Sequence, residues 1–156
     1  MILYLDASAL IKRYFAEKGS LALNARFERG EPIYTSLLTF GEVHAAMSRA
    51  YRMEKLSADE LTRIREAFQN DWQIGLSPLD VNIHTMTALP RLVEHFPLKA
   101  GDAIHLSTAF WLKDELRARG HRNPAEGSVE FGVADKRLSE IAAECGLQIF
   151  NPELQD

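Results

Sequence analysis

The chain has 156 residues, of which 46% are hydrophobic and 26% are charged, and its formal net charge is −4. This length and composition predict one compact domain over residues 1–156 and argue against a disordered or fibrous chain. The negative charge argues against a protein that coats nucleic acid non-specifically, because such binding depends on many cationic side chains.

Membrane insertion and export are not expected. No apolar run approaches the roughly 20 residues that a membrane-spanning helix needs. The N-terminus lacks the basic stretch and the longer apolar run of a signal peptide. The chain has one cysteine, Cys145, so it cannot form an intramolecular disulfide. The reducing cytoplasm is therefore the expected compartment.

The first third of the chain alternates strand and helix patterns. A buried strand is predicted at residues 2–5, "ILYL", followed by a short helix, "SALIKRYF", with Ser8 as its N-cap. A second helix, "GSLALNARFERG", is closed by Gly30. The β-prone "PIYTS" then precedes a long helix from about Leu37 to Met53.

The alternation continues to the C-terminus. A helix follows Ser57, which has capping-box spacing with Glu60. A third strand is predicted in "QIGLSPL", then a helix, "VNIHTMTALPRLVEHF", that Pro90 should break or kink. The remaining elements are the helix "GDAIHLSTAFWLKDELRARG", a loop at 120–128, the strand "SVEFGVAD", the helix "KRLSEIAAECG" and the strand "LQIFNP".

This order of elements predicts an α/β fold. Strands that alternate with helices are typical of a mostly parallel sheet with right-handed crossovers. Helices then cover both faces of the sheet, which gives a three-layer α/β/α sandwich around five strands. We see no repeat or linker that would divide the chain.

Two acids directly follow predicted strands. Asp6 ends the "ILYL" strand, and Asp135 follows "FGVA" and precedes a helix. Ligands of an open parallel sheet bind outside the carboxyl ends of its strands. The shared context of apolar strand, acid and helix therefore suggests that both acids belong to one site.

Two further acids lie within predicted helices and on their apolar faces. Glu42 has Leu38 four residues before it and Ala46 four residues after it. Asp102 has His105 and Leu106 three and four residues after it. Positions three and four apart are neighbours on a helix, so both carboxylates face towards the core.

Each acid also has a simpler interpretation. Asp6 and Asp135 could be N-caps of the helices that follow them. Glu42 could pair with Arg49, and Asp102 could favour the dipole at the start of its helix. The combination of two strand-end acids with two inward-facing helical acids favours a common pocket.

Four clustered carboxylates predict a divalent cation. They cannot all stay ionised within a few ångströms of one another without a counter-charge. Oxygen ligands suit a hard cation such as Mg²⁺ or Mn²⁺. A site of this kind can activate water and stabilise displacement at phosphorus. Zinc is not expected, because no histidine and cysteine cluster has ligand spacing.

Four segments of the chain together carry a family resemblance. They are "LYLDASALIKRY", "TSLLTFGEVHAAM", "LKAGDAIHLSTA" and "FGVADKRLSEIAAECGLQIFNP". With these segments in this order over nearly its whole length, the chain resembles a PIN-domain ribonuclease. More closely, it is similar to a VapC-type toxin of a toxin–antitoxin module.

The resemblance implies a fold, a reaction and partners. It implies a five-stranded parallel sheet whose carboxyl edge carries an acidic pocket, with one or two Mg²⁺ or Mn²⁺ ions held by Asp6, Glu42, Asp102 and Asp135. Ser8 matches a small hydroxyl residue that would orient these ligands. The family further implies metal-dependent hydrolysis of RNA, a homodimer, and inhibition by a cognate antitoxin.

Additional residues are weaker candidates. His105 follows Asp102 by one helical turn and either supports a carboxylate or is a packed core histidine. Four cationic residues near the acids in sequence are candidates for contacts to RNA phosphates: Lys12, Arg13, Lys136 and Arg137.

The leading hypothesis is therefore a metal-dependent endoribonuclease acting as a toxin. One rival is a phosphotransfer enzyme or receiver domain, which also places acids at strand ends around Mg²⁺. A haloacid-dehalogenase-like phosphatase normally needs Asp-x-Asp after the first strand, whereas this chain has Asp6-Ala7-Ser8. The other rival is a binding module in which the acids remain without turnover.

Overall fold

The structure is a computed structural model, and it describes residues 1–119 and 128–155. The predicted 120–128 loop therefore lies, apart from its last residue, outside the described part of the chain. Five strands, β1 to β5, span Ile2–Leu5, Ile33–Ser36, Ser77–Leu79, Val129–Gly132 and Gln148–Phe150. Seven helices within the described ranges, α1 to α7, span Ala7–Leu10, Ser20–Glu28, Leu38–Arg52, Ala58–Asn70, Leu89–His95, Ala100–Ala118 and Lys136–Glu144.

All five strands form one parallel sheet in the order β3-β2-β1-β4-β5. Leu5 of β1 lies between Thr35 of β2 and Gly132 of β4. The predicted α/β class and five-stranded sheet are confirmed, and the sheet is wholly parallel. β1 is central, so the residue that follows it comes out at the middle of the carboxyl edge, where ligands of such sheets bind.

Helices cover both faces of this sheet. Leu3 and Leu5 of β1 pack into an apolar cluster with side chains of α1 to α4, such as Phe68. Tyr4 points to the other face, into a second cluster that includes Leu106 of α6 and side chains of α5 and α7. Successive side chains of a strand point to opposite faces, so an unbroken apolar strand fits between two helical layers. The predicted three-layer arrangement is confirmed.

One close approach in the sheet requires glycine. Gly132 lies beside Leu5, and a Cβ atom at this position would overlap the Leu5 side chain and press against the backbone of Tyr4. The strands β1 and β4, which lead to the two candidate acids, therefore pack without a side chain at position 132 between them.

Helix boundaries agree with the sequence signals where caps are strong. Ser57 and Glu60 form the predicted capping box at the start of α4. Gly30 and Gly146 have positive φ angles just after α2 and α7, as expected for residues that close helices. Ser8, however, is not the N-cap of α1. Asp6 has that role, because its side chain accepts a hydrogen bond from the Ala9 amide.

Two predicted elements are shorter than expected. The third strand begins only at Ser77, because residues Asp71–Gly75 continue from α4 as a π-helical turn. The helix predicted over residues 81–96 begins at Leu89. Pro90 occupies its first turn, where a missing amide hydrogen costs nothing. Within the described residues, no helix is long and apolar enough to cross a membrane.

Candidate active site

The carboxyl edge of the sheet brings the ends of β1 and β4 side by side. Asp6 continues the ladder beyond β1, and its amide donates to the Gly132 carbonyl at 3.0 Å. Asp135 lies three residues beyond β4 and caps α7 by accepting from the Leu138 amide at 2.8 Å. The N-cap interpretation therefore holds for both acids. It uses Oδ1 of each carboxylate and is compatible with a further role.

Asp6 is the most buried of the four acids, with 4% of its surface exposed. Its Oδ1 accepts from the Ala9 amide at 2.9 Å, and both of its oxygens lie 2.8 Å from the Ser8 hydroxyl. Burial is the main cause that raises the pKa of Asp6 to about 6. The ionised form therefore lacks part of the stabilisation that water would give it, and a nearby cation would restore that stabilisation.

Ser8 connects the two strand-end acids. Its hydroxyl donates to Asp6 and accepts from the amides of Ala134 and Asp135 at 3.0 and 3.2 Å. One side chain thus orients the Asp6 carboxylate and holds the backbone that carries Asp135.

Glu42 and Asp102 reach the same place from helices α3 and α6. The Oε2 atom of Glu42 lies 2.7 Å from His105 Nε2, so its polar partner is His105 and not Arg49. A Cβ atom on Gly101 would lie 3.2 Å from the other Glu42 oxygen, so the start of α6 approaches Glu42 closely. Asp102 lies in the first turn of α6, and its pKa is raised by burial and by the neighbouring Asp135.

A cavity of about 340 Å³ joins these groups. All four predicted acids line it, together with Ser8 and His105. In the described part of the chain, no three acidic, histidine or cysteine side chains already form a metal-holding group. The pocket is therefore an open, oxygen-rich one, in which the carboxylates face shared space.

Two cationic residues that were not among the predicted phosphate contacts also line this pocket, Arg49 of α3 and Lys99 at the start of α6. Neither forms an ion pair within 4.0 Å among the residues that the structure describes. The helical period could have indicated Arg49, because it lies seven residues, or two turns, after Glu42. Lys99 precedes Asp102 by three residues, which alone is a weak signal.

Lys12 does not face the pocket, contrary to its predicted role as a phosphate contact. Its side chain is buried, and its ammonium lies 2.6 Å from Glu153 and 3.2 Å from Glu17. Burial opposes the charge, but the two carboxylates outweigh it and raise the pKa of Lys12 above its ordinary value. This cation anchors the C-terminal turn Pro152–Leu154 and is neutralised within the fold.

Arg13 is likewise engaged elsewhere. Its guanidinium pairs with Asp71 and stacks over the Phe27 ring at 3.9 Å. The Tyr14 hydroxyl donates to the same carboxylate at 2.9 Å. These side chains line a larger cavity of about 740 Å³ that contains none of the four predicted acids. Because Arg13 and Tyr14 already satisfy Asp71, this cavity is the weaker candidate for chemistry.

The remaining predicted cations lie beside Asp135. Lys136 is exposed and lies 3.9 Å from Glu140, a distance and exposure typical of a weak surface pair. Arg137 donates to the Pro97 carbonyl at 2.8 Å, so it ties the start of α7 to the segment before α6. Among the described residues, Lys136 and Arg137 are thus exposed beside Asp135 without a carboxylate partner closer than 3.9 Å, whereas Lys12 and Arg13 are neutralised within the fold.

The chain is similar to known proteins over most of its length. A family model described as the PIN domain matches residues 3–122. Two curated relatives are Ribonuclease VapC45 and Ribonuclease VapC49 from two strains of Mycobacterium tuberculosis. Each is 27% identical to this chain over 153 residues, which cover 98% of this chain and 97% of the relative.

Solved structures share the fold. One is the crystal structure of FitAcB from Neisseria gonorrhoeae, with a TM-score of 0.64 and 15% identity. Another is VapBC2 from Rickettsia felis bound to a DNA fragment from their promoter, with a TM-score of 0.62 and 11% identity. Both alignments cover 97% of this chain and 98% of the matched chain.

Proposed function

The chain belongs to the PIN domain family, and from this premise we propose that it is a metal-dependent endoribonuclease that hydrolyses RNA phosphodiester bonds. The observation that carries the proposal is the convergence of Asp6, Glu42, Asp102 and Asp135 on one pocket at the carboxyl edge of the sheet. The ribonuclease names of the two curated relatives support the same activity. We further propose that residues 1–156 form one domain, since strands from both ends of the chain pair in one sheet.

The donor set fits Mg²⁺, or Mn²⁺ in its place. All four proposed ligands are carboxylates, and hard cations prefer oxygen. Mg²⁺ keeps several waters and uses only one or two protein carboxylates directly, which suits an open pocket. When bound, the cation supplies positive charge that activates water and stabilises the charge developing on a phosphate.

The residues of the chain have distinct proposed tasks. Asp6 is held by Ser8 and the Ala9 amide, and Glu42 is held by His105, so both carboxylates are oriented in advance. In the metal-free protein, burial and Asp135 raise the pKa of Asp102. One of the four carboxylates would accept the proton of the attacking water.

Phosphate groups need cations that are not already neutralised. Arg49 and Lys99 line the acidic pocket, and Lys136 follows Asp135 on the same edge. We assign the RNA phosphate contacts to these three residues in place of Lys12 and Arg13. Arg49 can hold a phosphate through two parallel hydrogen bonds, whereas the lysines act as point charges.

We also propose the regulation that the resemblance implies. The curated relatives carry the VapC name, and one structural neighbour is a VapBC2 assembly. The chain would then be the toxin of a toxin–antitoxin pair, inhibited by a cognate antitoxin and acting as a homodimer. Its proposed RNA substrate places the activity in the cytoplasm.

The test is cleavage of a mixed RNA pool by purified, antitoxin-free protein with Mg²⁺, Mn²⁺ or chelator. Asp102→Asn should abolish cleavage, while Asp114→Asn should retain it. The second variant makes the same change on an exposed part of the same helix, α6. Circular dichroism checks that both variants fold. Metal-dependent cleavage that survives in folded Asp102→Asn would contradict the proposed site, and a folded, metal-binding protein that cleaves no RNA would favour the binding-module alternative.

A further inference from the structure

A chain of hydrogen bonds links the interior of the sheet to Glu42 in the candidate active site. The hydroxyl of Tyr4 on β1 lies 3.1 Å from Nδ1 of His105 on α6. The other ring nitrogen of His105, Nε2, lies 2.7 Å from Oε2 of Glu42 on α3. Two side chains from separate elements, Tyr4 and His105, therefore act in series on the carboxylate of Glu42.

The two rings of this chain are fixed by packing. Tyr4 is fully buried, and only 2% of His105 is exposed. Tyr4 stacks on Phe131 with ring centroids 5.6 Å apart and planes 10° apart. It meets the His105 ring edge-on at 6.1 Å. Neither ring can change its orientation without disturbing the core, because interiors are close-packed.

For a neutral imidazole, the chemistry of its two partners assigns which ring nitrogen carries hydrogen. An ionised carboxylate only accepts hydrogen bonds, so the nitrogen 2.7 Å from Glu42 has to be the donor. With Nε2–H as the donor, Nδ1 of a neutral imidazole is an acceptor. A buried acceptor without a partner is costly, and the Tyr4 hydroxyl is the group placed to donate to it. The opposite tautomer would place a nitrogen lone pair against the carboxylate.

We infer that Tyr4 is a positioning residue for Glu42, acting through His105. Its hydroxyl donates to Nδ1 and so satisfies the Nε2–H tautomer that the Glu42 carboxylate requires, and that tautomer holds the carboxylate towards the pocket. Partners in the shell around a metal site commonly fix a ligand in this way. The consequence for cleavage rests on the proposed function, whereas the tautomer and the divalent-cation affinity can be measured without it.

The tautomer is tested by long-range ¹H–¹⁵N correlation spectra of the metal-free protein labelled at histidine. The His105 signals are identified by their loss in His105→Gln. The wild type should show a protonated Nε2 and a bare Nδ1, and Tyr4→Phe should change the ¹⁵N shift of Nδ1, because that nitrogen loses its hydrogen-bond donor. A wild-type spectrum with hydrogen on Nδ1 would overturn the inference. This measurement uses the wild-type side chain at Tyr4, so it does not depend on whether Tyr4→Phe folds.

Mn²⁺ titration provides the second readout. Tyr4→Phe keeps the ring and should weaken Mn²⁺ affinity by about 10-fold, at the low end of supporting-residue effects. Tyr34→Phe is the matched control, because Tyr34 is the register partner of Tyr4 on β2 and takes no part in the chain of hydrogen bonds. It should bind Mn²⁺ as the wild type does.

A double-mutant cycle between Tyr4 and His105, measured as Mn²⁺ affinity, distinguishes an effect of Tyr4 through His105 from a packing defect. In a His105→Leu background, Tyr4→Phe should have no further effect on Mn²⁺ affinity, because the link to Glu42 is already broken. An equal loss in both backgrounds would show that Tyr4 acts by packing alone and would overturn the inference. If the wild type cleaves no RNA, the proposed function fails, but the tautomer and the coupling still decide the role of Tyr4.

Discussion

Ser8 and Asp135 are joined across the edge of the sheet, because the Asp135 amide donates to the Ser8 hydroxyl at 3.2 Å. The proton of that hydroxyl is directed to Asp6. Two strand-end acids that are 129 positions apart in the numbering of the chain thus depend on one small side chain. This arrangement leads to the first prediction.

Ser8→Ala should lower cleavage by about 10- to 100-fold, the range for residues that orient metal ligands. The free energy of unfolding should fall by only about 1–2 kcal/mol, since one partly buried and one exposed amide lose an acceptor. Single-turnover cleavage and urea unfolding measure the two effects. Ser8→Thr keeps the hydroxyl and should retain most activity; equal cleavage by Ser8→Ala and the wild type would contradict the role.

Asp6→Asn should stabilise the metal-free protein at neutral pH while removing cleavage. Burial raises the pKa of Asp6 from 3.8 to about 6, so the ionised carboxylate destabilises the folded state. This penalty is absent below the unfolded pKa, develops as pH rises from 3.8 to about 6, and is complete above that range. A pKa shift of this size corresponds to roughly 2–3 kcal/mol at most. We expect Asp6→Asn to raise the free energy of unfolding by about 1–3 kcal/mol.

Urea unfolding in chelator at about pH 7.5 and about pH 5 checks this prediction. The increase in the free energy of unfolding caused by Asp6→Asn should be largest at the higher pH and smaller at the lower one. Asp114→Asn is exposed and should show neither effect. If Asp6→Asn is less stable than the metal-free wild type at the higher pH, the hydrogen bonds of the ionised Asp6 carboxylate already offset its burial, and the prediction is wrong.

Arg49→Gln and Lys99→Gln should each weaken RNA binding more than they slow the chemical step. Both cations line the acidic pocket, and each lost phosphate contact should reduce the slope of log affinity against log salt by about 1. Arg52→Gln removes the same charge from the exposed end of the same helix and serves as the control for Arg49. Identical salt slopes for Arg49→Gln and Arg52→Gln would argue against a specific contact.

Gly101→Ala should reduce cleavage without reducing stability. The added methyl would lie 3.2 Å from Glu42 Oε1, so the carboxylate has to shift by a few tenths of an ångström. We expect a loss of about 3- to 30-fold, because small displacements of reacting groups are costly. Gly41→Ala is the matched control, since a Cβ atom there meets nothing within 4 Å. Equal activity of the two variants would show that Glu42 tolerates the shift.

Much of the fold could be predicted because its signals are local. The run "ILYL" is apolar at every position, as a strand buried on both faces must be. The capping box at Ser57 and Glu60 likewise depends only on residues three positions apart. The π-helical turn Asp71–Gly75 was missed because it is held by the side chain of Arg13, which is distant in sequence.

The roles of the cations were decided by packing rather than by proximity in sequence. Lys12 follows Asp6 closely along the chain, but α1 and its following turn direct it to Glu153 at the C-terminus. Arg49 lies far from Asp6 along the chain, but α3 places it on the wall of the acidic pocket. Neighbours in sequence on a short helix point in different directions, whereas residues on different elements can share a pocket.

The sequence by itself determined the α/β class, the parallel sheet and the four acids, because apolar periodicity and strand-end carboxylates are properties of short segments. Only the tertiary structure decided how those acids are held. Ser8 supports Asp6 and Asp135, and the buried pair of Tyr4 and His105 supports Glu42. Such contacts join residues from separate elements, and their geometry exists only once the sheet has brought those elements together.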